Sequence, residues 1–384
     1  MKYIAYILII LLLGCNEQQK KDEIPRFSSI PVTYSDENVF NLSSLSKDAT
    51  FVKLETNDSC LIQNINKIFY IDDQIIIGSE NDILFFGKSG EFKYLINRQG
   101  AGPEEYLRLS DFDISPDRKR ISILDTRKKE ILEYDFRGNL HRRNKLDNWY
   151  IGIKYLNDSL YLLYSGNQIS GNNNMKFSTY NIKTSSVIDS FYPISVQKSK
   201  YLHIHSANNF SSFKNELLFC ELYNDTIYTV TPSGYAPLYY LDFGEHKIPS
   251  SLLNDSYENI MEFQNKLSSY EFSYGINSLV SVPNGIFASY YDHKKRCFIY
   301  VDRKADKIIS FRRITDDKIF GDFVIDALKY QVRFYSDENY LFAVANNELF
   351  IDGRESFVNS TLKSQFNDIK IDDNPVIRIS KVLD

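Results

Sequence analysis

A repeated unit of about ten residues constrains the fold of this chain more than any other feature. Residues 83–92 recur as residues 131–140, and each copy places two strand-like apolar runs around a polar turn that contains Gly90 or Gly138. The two glycines are 48 residues apart, a spacing that suits one four-stranded blade of a β-propeller. Looser copies occupy residues 177–187, 227–236 and 298–308. The repeat therefore predicts one sheet motif used several times.

Blades placed on this period number six. They cover residues 62–98, 108–145, 149–196, 204–244 and 276–315, and a last blade starts near residue 321. The last blade is predicted to be split by a helix at 356–367 and completed by a strand at 376–379. Residues 51–55 are expected to pair with that final strand and close the ring, which removes an open sheet edge. A large β-sandwich is the alternative, because only two repeats are sharp.

The composition agrees with an all-β fold. The chain has 28 Tyr and 27 Phe in 384 residues, and both side chains favour the half-buried surfaces of sheets. We expect most of them to pack between blades. The formal net charge of −5 gives no electrostatic reason to expect nucleic-acid binding.

The N-terminus has the layout of a secretory signal. Lys2 precedes an apolar run at residues 4–13, which is too short to span a bilayer. Residues 12–15 (LLGC) resemble a bacterial lipobox, which implies a signal peptide at 1–14, cleavage before Cys15 and a lipid on Cys15. A polar tether is predicted at 15–37 and the propeller domain at 38–384. Residues 19–23 resemble the charged surface-export signal of Bacteroidota lipoproteins, so we predict an outer-membrane lipoprotein, periplasmic or surface-exposed.

The remaining cysteines do not suggest a disulfide framework. Cys60, Cys220 and Cys297 are odd in number, so at least one stays free or pairs outside the chain. Cys220 and Cys297 lie in strand-like runs, where a buried thiol behaves as a small hydrophobic side chain.

Three segments carry a family resemblance. Residues 98–106 (RQGAGPEEY), with 111–112 and 123–138, resemble an NHL-type repeat. Together with 51–56 and 372–376 they resemble the six-bladed β-propeller lipoproteins of Bacteroidota over residues 38–384. The resemblance implies the fold and implies little about function, because the members of that family are mostly uncharacterised.

The glycine-rich segment at 100–103 does not predict a phosphate loop. Glu104 and Glu105 follow it in place of Gly-Lys-Ser/Thr, and two carboxylates would repel a phosphate. A turn between blades explains both glycines and Pro103 without a ligand. Arg98 is a candidate to project into the ring and pair with Glu104 or Glu105, in an architectural role.

His203 and His205 are the candidate metal ligands. On one strand, the two-residue period would place both imidazoles on the same face. Enzymes with NHL-like propellers carry metal ligands around the central channel, so a hydrolase or lyase with a divalent metal near the channel is one hypothesis. The other interpretation makes both histidines polar residues at a strand end.

Two insertions are candidates for recognition. Residues 248–274 place Tyr257, Ile260, Met261, Gln264 and Leu267 at helical spacing, with Asp255 or Ser256 as N-cap. This helix, between blades four and five, either lines a ligand cleft or covers exposed apolar edges. Residues 165–174 form a polar loop within blade three that either recognises a ligand or is a tolerated surface bulge.

The sequence thus predicts an all-β, six-bladed β-propeller that acts as a monomeric binding module. Its expected ligands are a glycan, a peptide or a partner envelope protein, and its lipid anchor is its expected contact with the membrane. The propeller enzyme is the alternative function, and the catalytic and ligand-binding residues are not identified from the sequence.

Overall fold

The protein is described here by a computed structural model. It describes residues 28–33, 35, 37–46, 48–204, 208–214, 216–305, 307–337 and 340–382. The predicted signal peptide and Cys15 lie outside these residues. Three N-terminal strands come first, β1 (Ser28–Pro31), β2 (Val39–Asn41) and β3 (Ala49–Lys53), and each joins a sheet formed by later parts of the chain.

The first three blades are antiparallel four-stranded sheets in chain order. Blade one contains β4 (Lys67–Ile71), β5 (Gln74–Ser79), β6 (Asp82–Gly87) and β7 (Phe92–Ile96). Blade two contains β8 (Asp111–Ile114), β9 (Arg120–Asp125), β10 (Glu130–Asp135) and β11 (Leu140–Lys145). Blade three contains β12 (Gly152–Asn157), β13 (Leu160–Tyr164), β14 (Met175–Asn181) and β15 (Ser186–Pro193).

Blades four and five follow the same plan. Blade four contains β16 (Phe210–Phe213), β17 (Glu216–Cys220), β18 (Thr226–Thr231) and β19 (Gly234–Asp242), and β1 extends it in parallel with β19. Because β1 lies in this sheet, the tether predicted over 15–37 cannot extend beyond residue 27. Blade five contains β20 (Ser273–Val282), β21 (Gly285–Asp292), β22 (Lys295–Asp302) and β23 (Lys307–Phe311).

The predicted count of six blades is wrong, because the described residues form seven sheets. The chain predicted as one last blade divides in two. β24 (Arg313–Thr315) pairs with β25 (Ile325–Asp326) and, in parallel, with β2, forming a short three-stranded sheet. β26 (Arg333–Asp337), β27 (Tyr340–Ala345) and β28 (Val376–Lys381) form the other sheet with β3. No repeat marks the small sheet, because its parallel partner comes from the distant N-terminus.

Ring closure by the N-terminus is confirmed. β3 pairs antiparallel with β28, and Phe51 lies opposite Arg378. A buried polar cluster holds the small sheet against this closing blade: Arg378 Nε donates to Asp316 Oδ2 at 2.5 Å, and Ser43 Oγ donates to Asp316 Oδ1 at 2.6 Å. These bonds pair the charges of Arg378 and Asp316, which would be costly to bury without partners.

The helices lie between sheets or within loops. They are α1 (Ser250–Leu253), α2 (Ile260–Ser268), α3 (Asp317–Phe320), α4 (Glu348–Asp352) and α5 (Ser360–Gln365). α4 and α5 interrupt the closing blade between β27 and β28, as predicted for the 356–367 region, although the helix there is shorter and has a companion.

Aromatic side chains pack between neighbouring blades, as the composition suggested. Three ring pairs join neighbouring blades, each with its centroids no more than 5.8 Å apart. Phe69–Phe112 joins blades one and two, Tyr164–Phe219 joins blades three and four, and Phe287–Phe334 joins blade five to the closing blade. The fit between blades one and two also requires a glycine, since a Cβ on Gly78 would lie 2.2 Å from Phe112 Cε1. Full burial of each such ring stabilises the fold by roughly 1.5–3 kcal/mol.

Candidate functional site

The first strands of six blades surround a central channel. Contacts join β8 to β12, β16 to β20, β20 to β26 and β26 to β4. One cavity, of about 820 Å³, lies where these strands begin, and a second, of about 570 Å³, lies towards their ends. Lys67, Asn208, Phe334 and Tyr335 line both cavities, so the two cavities meet there. The small seventh sheet contributes no residue to either lining.

The larger cavity is lined by four arginines, and we call it the arginine mouth. Arg108 and Arg127 come from loops of blade two. Arg296 is the second residue of β22 in blade five, and Arg333 is the first residue of β26 in the closing blade. Along the ring of inner strands, two blades separate blade two from blade five in either direction, and blade one separates blade two from the closing blade. The mouth therefore presents guanidinium groups from three different blades.

One buried carboxylate organises the blade-two side of the mouth. Asp125 Oδ2 accepts the backbone N–H of Leu107 at 2.6 Å, and Asp125 Oδ1 accepts the N–H of Arg127 at 2.9 Å. Asp125 is fully buried at the end of β9. Because it holds both loops, the backbone positions of Arg108 and Arg127 are set together.

The arginines of the mouth lack carboxylate partners. Across the described ranges, no Asp or Glu oxygen lies within ion-pair distance of Arg108, Arg127, Arg296 or Arg333. The one carboxylate deep in the mouth, Asp111, is bound to Lys67 at 2.6 Å. The mouth is thus electropositive in a chain whose net charge is negative.

The charges of Arg296 and Arg333 repel each other. Burial lowers the pKa of the Arg296 guanidinium, and the neighbouring Arg333 charge lowers it further. Arg296 lies over the Phe298 ring at 4.9 Å from the centroid, which restricts its orientation. Two like charges held near each other without a counterion form an arrangement that an anion would stabilise.

Amide side chains supply the neutral polar groups of the mouth. Asn64, Asn66 and Asn209 line it and make no side-chain hydrogen bond with other described residues. Asn209 is 6% exposed. An amide carries both donors and an acceptor, so amides that line a cavity and bond to no other described residue can bind a ligand with hydroxyl or similar groups.

The other cavity carries charges that are paired. Lys154 Nζ lies 3.1 Å from Asp113 Oδ1, and Arg118 lies 3.1 Å from Asp337 Oδ1. Glu216, also in its lining, binds Arg303 at 2.6 Å. We call this cavity the paired end.

The glycine-rich loop serves as a turn, as predicted. Glu105 fills the position that an anion would need, because its carboxylate accepts the N–H of Gly102 at 2.7 Å and a Cβ on Gly100 would lie 2.0 Å from it. The expected pairing of Arg98 with Glu104 or Glu105 is wrong. Arg98 Nε instead donates to the carbonyl of Gly138 at 3.1 Å, which joins blades one and two.

The predicted metal and lipid sites are not tested. His203 is exposed between blades three and four, in a segment outside any strand, and His205 lies outside the described residues. No cluster of three or more potential His, Cys, Asp or Glu ligands occurs in the described part of the chain. Cys60, Cys220 and Cys297 are all buried, and no disulfide joins them to each other or to another described residue. Burial raises the pKa of the Cys220 thiol.

Neither insertion lines the mouth or the paired end. α2 begins after Asn259, whose side chain accepts from the N–H groups of Met261 and Glu262, so the predicted N-caps Asp255 and Ser256 are wrong. Phe263 and Leu267 face inward, and Met261 is 60% exposed. α2 covers an aromatic cluster around Tyr201 and Tyr223, which favours the cap interpretation. Residues 165–174 form a loop that the Ser170–Asn173 bridge closes, and Ser165, Asn167 and Asn173 within it are buried.

Sequence reasoning missed the arginine mouth because its members are scattered. Arg108, Arg127, Arg296 and Arg333 share no motif and no spacing. The only local signal was Asp125 followed by Arg127 within the NHL-like segment.

The domain of unknown function DUF4934 matches residues 27–381. The chain belongs to this family. Its fold is similar to the crystal structure of a protein from Bacteroides fragilis NCTC 9343 described as a "putative exported protein", at 19% identity and a TM-score of 0.73, over 94% of this chain and 100% of that one. A DUF4221 member from Bacteroides vulgatus ATCC 8482 is similar at 12% identity and a TM-score of 0.50, over 88% and 96% of the two chains.

The comparisons with solved structures show that the fold is a β-propeller, and they assign no activity to this DUF4934 protein. A search of curated proteins found no match. Among the described residues, no helix has the length and apolarity that a membrane crossing requires.

Proposed function

We propose that this DUF4934 protein is a lipid-anchored binding module of the bacterial cell envelope that takes a polar ligand into the arginine mouth. The observation that carries the proposal is the gathering, around one cavity of about 820 Å³, of four arginines that have no carboxylate partner among the described residues. This volume lies within the range of about 300–1,000 Å³ typical of small-molecule sites.

The needs of the fold itself do not explain the charges of the mouth. Salt bridges between blades stabilise the propeller at the paired end, whereas the arginines of the mouth bond to no described carboxylate. Charges of one sign that converge on a concave surface raise the local concentration of oppositely charged ligands. The mouth is therefore better explained by a ligand than by folding.

A binding screen tests this function. Purified protein is titrated with envelope glycans, short peptides and candidate envelope proteins by calorimetry. We expect a ligand whose binding is weakened when Arg296 or Arg333 is replaced by Gln. Binding that persists in both variants would place the ligand elsewhere, and a blank screen with well-folded protein would remove support for the module.

The envelope location rests on the lipobox at residues 12–15, and the export of the Bacteroides fragilis relative suggested by its description supports it. Labelled palmitate should be incorporated into wild-type protein and not into Cys15→Ser, and membrane fractionation should show release of the variant. Retention of label by Cys15→Ser would contradict lipidation at this residue. Protease accessibility in intact cells would then distinguish a surface-exposed from a periplasmic anchor.

A further inference from the structure

We propose that the arginine mouth recognises an acidic oligosaccharide, a sugar chain that carries anionic groups on more than one residue. This inference rests on the proposed function and adds the chemical class of its ligand. Three features carry it: the charge of the mouth, the placement of that charge on three blades, and the neutral groups between.

The charge selects an anion. The charged residues that line the mouth are the four arginines, Glu80, and Lys67 with Asp111, which form an ion pair. The positive charges therefore outnumber the negative ones. Guanidinium groups bind carboxylate and sulfate in a bidentate manner that a neutral ligand cannot use. An uncharged ligand would leave the repulsion between Arg296 and Arg333 in place.

The placement selects a ligand with separated charges. Arg127 and Arg108 belong to blade two, Arg296 belongs to blade five, and Arg333 belongs to the closing blade, so the four guanidinium groups come from three different blades. A single carboxylate bonds to the arginines of one blade and leaves the others unneutralised. A chain with repeated anionic groups can reach more than one blade.

The neutral groups select a sugar over an acidic peptide. Asn64, Asn66 and the buried Asn209 line the mouth with side chains that bond to no other described residue. Sugar hydroxyls are both donors and acceptors and so match amides at every position. An acidic peptide offers donors only along its backbone, because its aspartate and glutamate side chains are acceptors.

Calorimetry with the trimer of galacturonic acid tests the inference, with the neutral galactose trimer and galacturonic acid monomer as comparisons. We expect the acidic trimer to bind, the neutral trimer to bind at least about tenfold more weakly, and affinity to fall as salt is raised. A sulfated galactose trimer distinguishes sulfate from carboxylate as the anionic group.

Substitutions on two of the three blades locate the site. Arg127→Gln and Arg333→Gln should each weaken the acidic trimer about tenfold. Arg137→Gln, which removes an exposed arginine from the outer hairpin of blade two, is the matched control and should have no effect. The monomer should be sensitive to only one of the two mouth variants.

The outcomes separate this inference from the proposed function. Equal binding of neutral and acidic trimers, abolished by the mouth variants, would overturn the inference and leave the binding module standing. Tighter binding of a glutamate hexapeptide than of either acidic trimer would replace the sugar with a peptide. Absence of acidic-trimer binding by folded wild-type protein would also overturn it, and the broader screen would then decide the function separately.

Discussion

The two ends of the central channel use charge in opposite ways. At the paired end, Asp113 and Lys154 lie 3.1 Å apart, as do Arg118 and Asp337. At the arginine mouth, no described carboxylate approaches the four arginines that line the cavity.

The difference follows from burial. The side chains of Asp113 and Lys154 are 8% and 12% exposed, and an unpaired charge at such a depth would be costly. The arginines of the mouth are exposed or half-buried and keep water around them. The paired end therefore stabilises the ring, and the mouth is free to bind.

The largest expected effect concerns the paired end. Asp113→Ala should lower the free energy of unfolding by about 3 kcal/mol, because it leaves Lys154 without its partner and removes the acceptor of the Tyr155 N–H, now 2.8 Å away. Urea denaturation measures this change.

The double variant Asp113→Ala, Lys154→Met is the control for that result. Removal of both charges should restore more than half of the loss, since the cost comes chiefly from the orphaned ammonium. Equal loss in the single and double variants would show that the ion pair is not what stabilises this end.

One substitution made at both ends compares them directly. Arg118→Gln should lower the free energy of unfolding by about 1–2 kcal/mol, because Arg118 bonds to Asp337 and to the carbonyl of Tyr70. Arg333→Gln should change it by no more than about 0.5 kcal/mol. Thermal or urea unfolding of both variants decides the matter, and similar losses at the two positions would abolish the distinction between the ends.

The smallest effect is expected where the ends meet. Burial lowers the pKa of Lys67 from its ordinary 10.5, and Asp111 opposes that shift. Since the folded-state pKa is the lower one, the unfolded chain binds more protons between the two values. The contribution of Lys67 to stability is therefore present above pH 10.5 and is lost as the pH falls through the folded value.

Comparison of wild type with Lys67→Met measures how the protonation of Lys67 contributes to the free energy of unfolding. The difference in free energy of unfolding should move in favour of wild type as pH rises towards 10.5, by no more than about 1.4 kcal/mol per pH unit. Lys145→Met, at an exposed position of β11, serves as the control. A pH-independent difference for Lys67→Met would contradict the assigned burial effect.

Much of the fold could be predicted because short segments of the sequence specify its turns and strands. The turns at Gly90 and Gly138 both have positive φ, at 92° and 78°, and mark equivalent hairpins of blades one and two. Residues 51–55 precede blade one in the chain and are therefore predicted to pair with the C-terminal strand and close the ring, and β3 fills that role. The small sheet could not be predicted, because β2 and β24 are joined only by parallel pairing over a long sequence separation.

The sequence by itself determined that this chain repeats one antiparallel sheet, closes it with its N-terminal segment and buries its excess of aromatic rings between blades. Periodicity and turn chemistry are local, so they can be read residue by residue. Only the tertiary structure decided the seventh sheet and the convergence of Arg108, Arg127, Arg296 and Arg333 on one mouth. Those residues become neighbours only when the ring closes, and whether a charge finds a partner is a property of that closed ring.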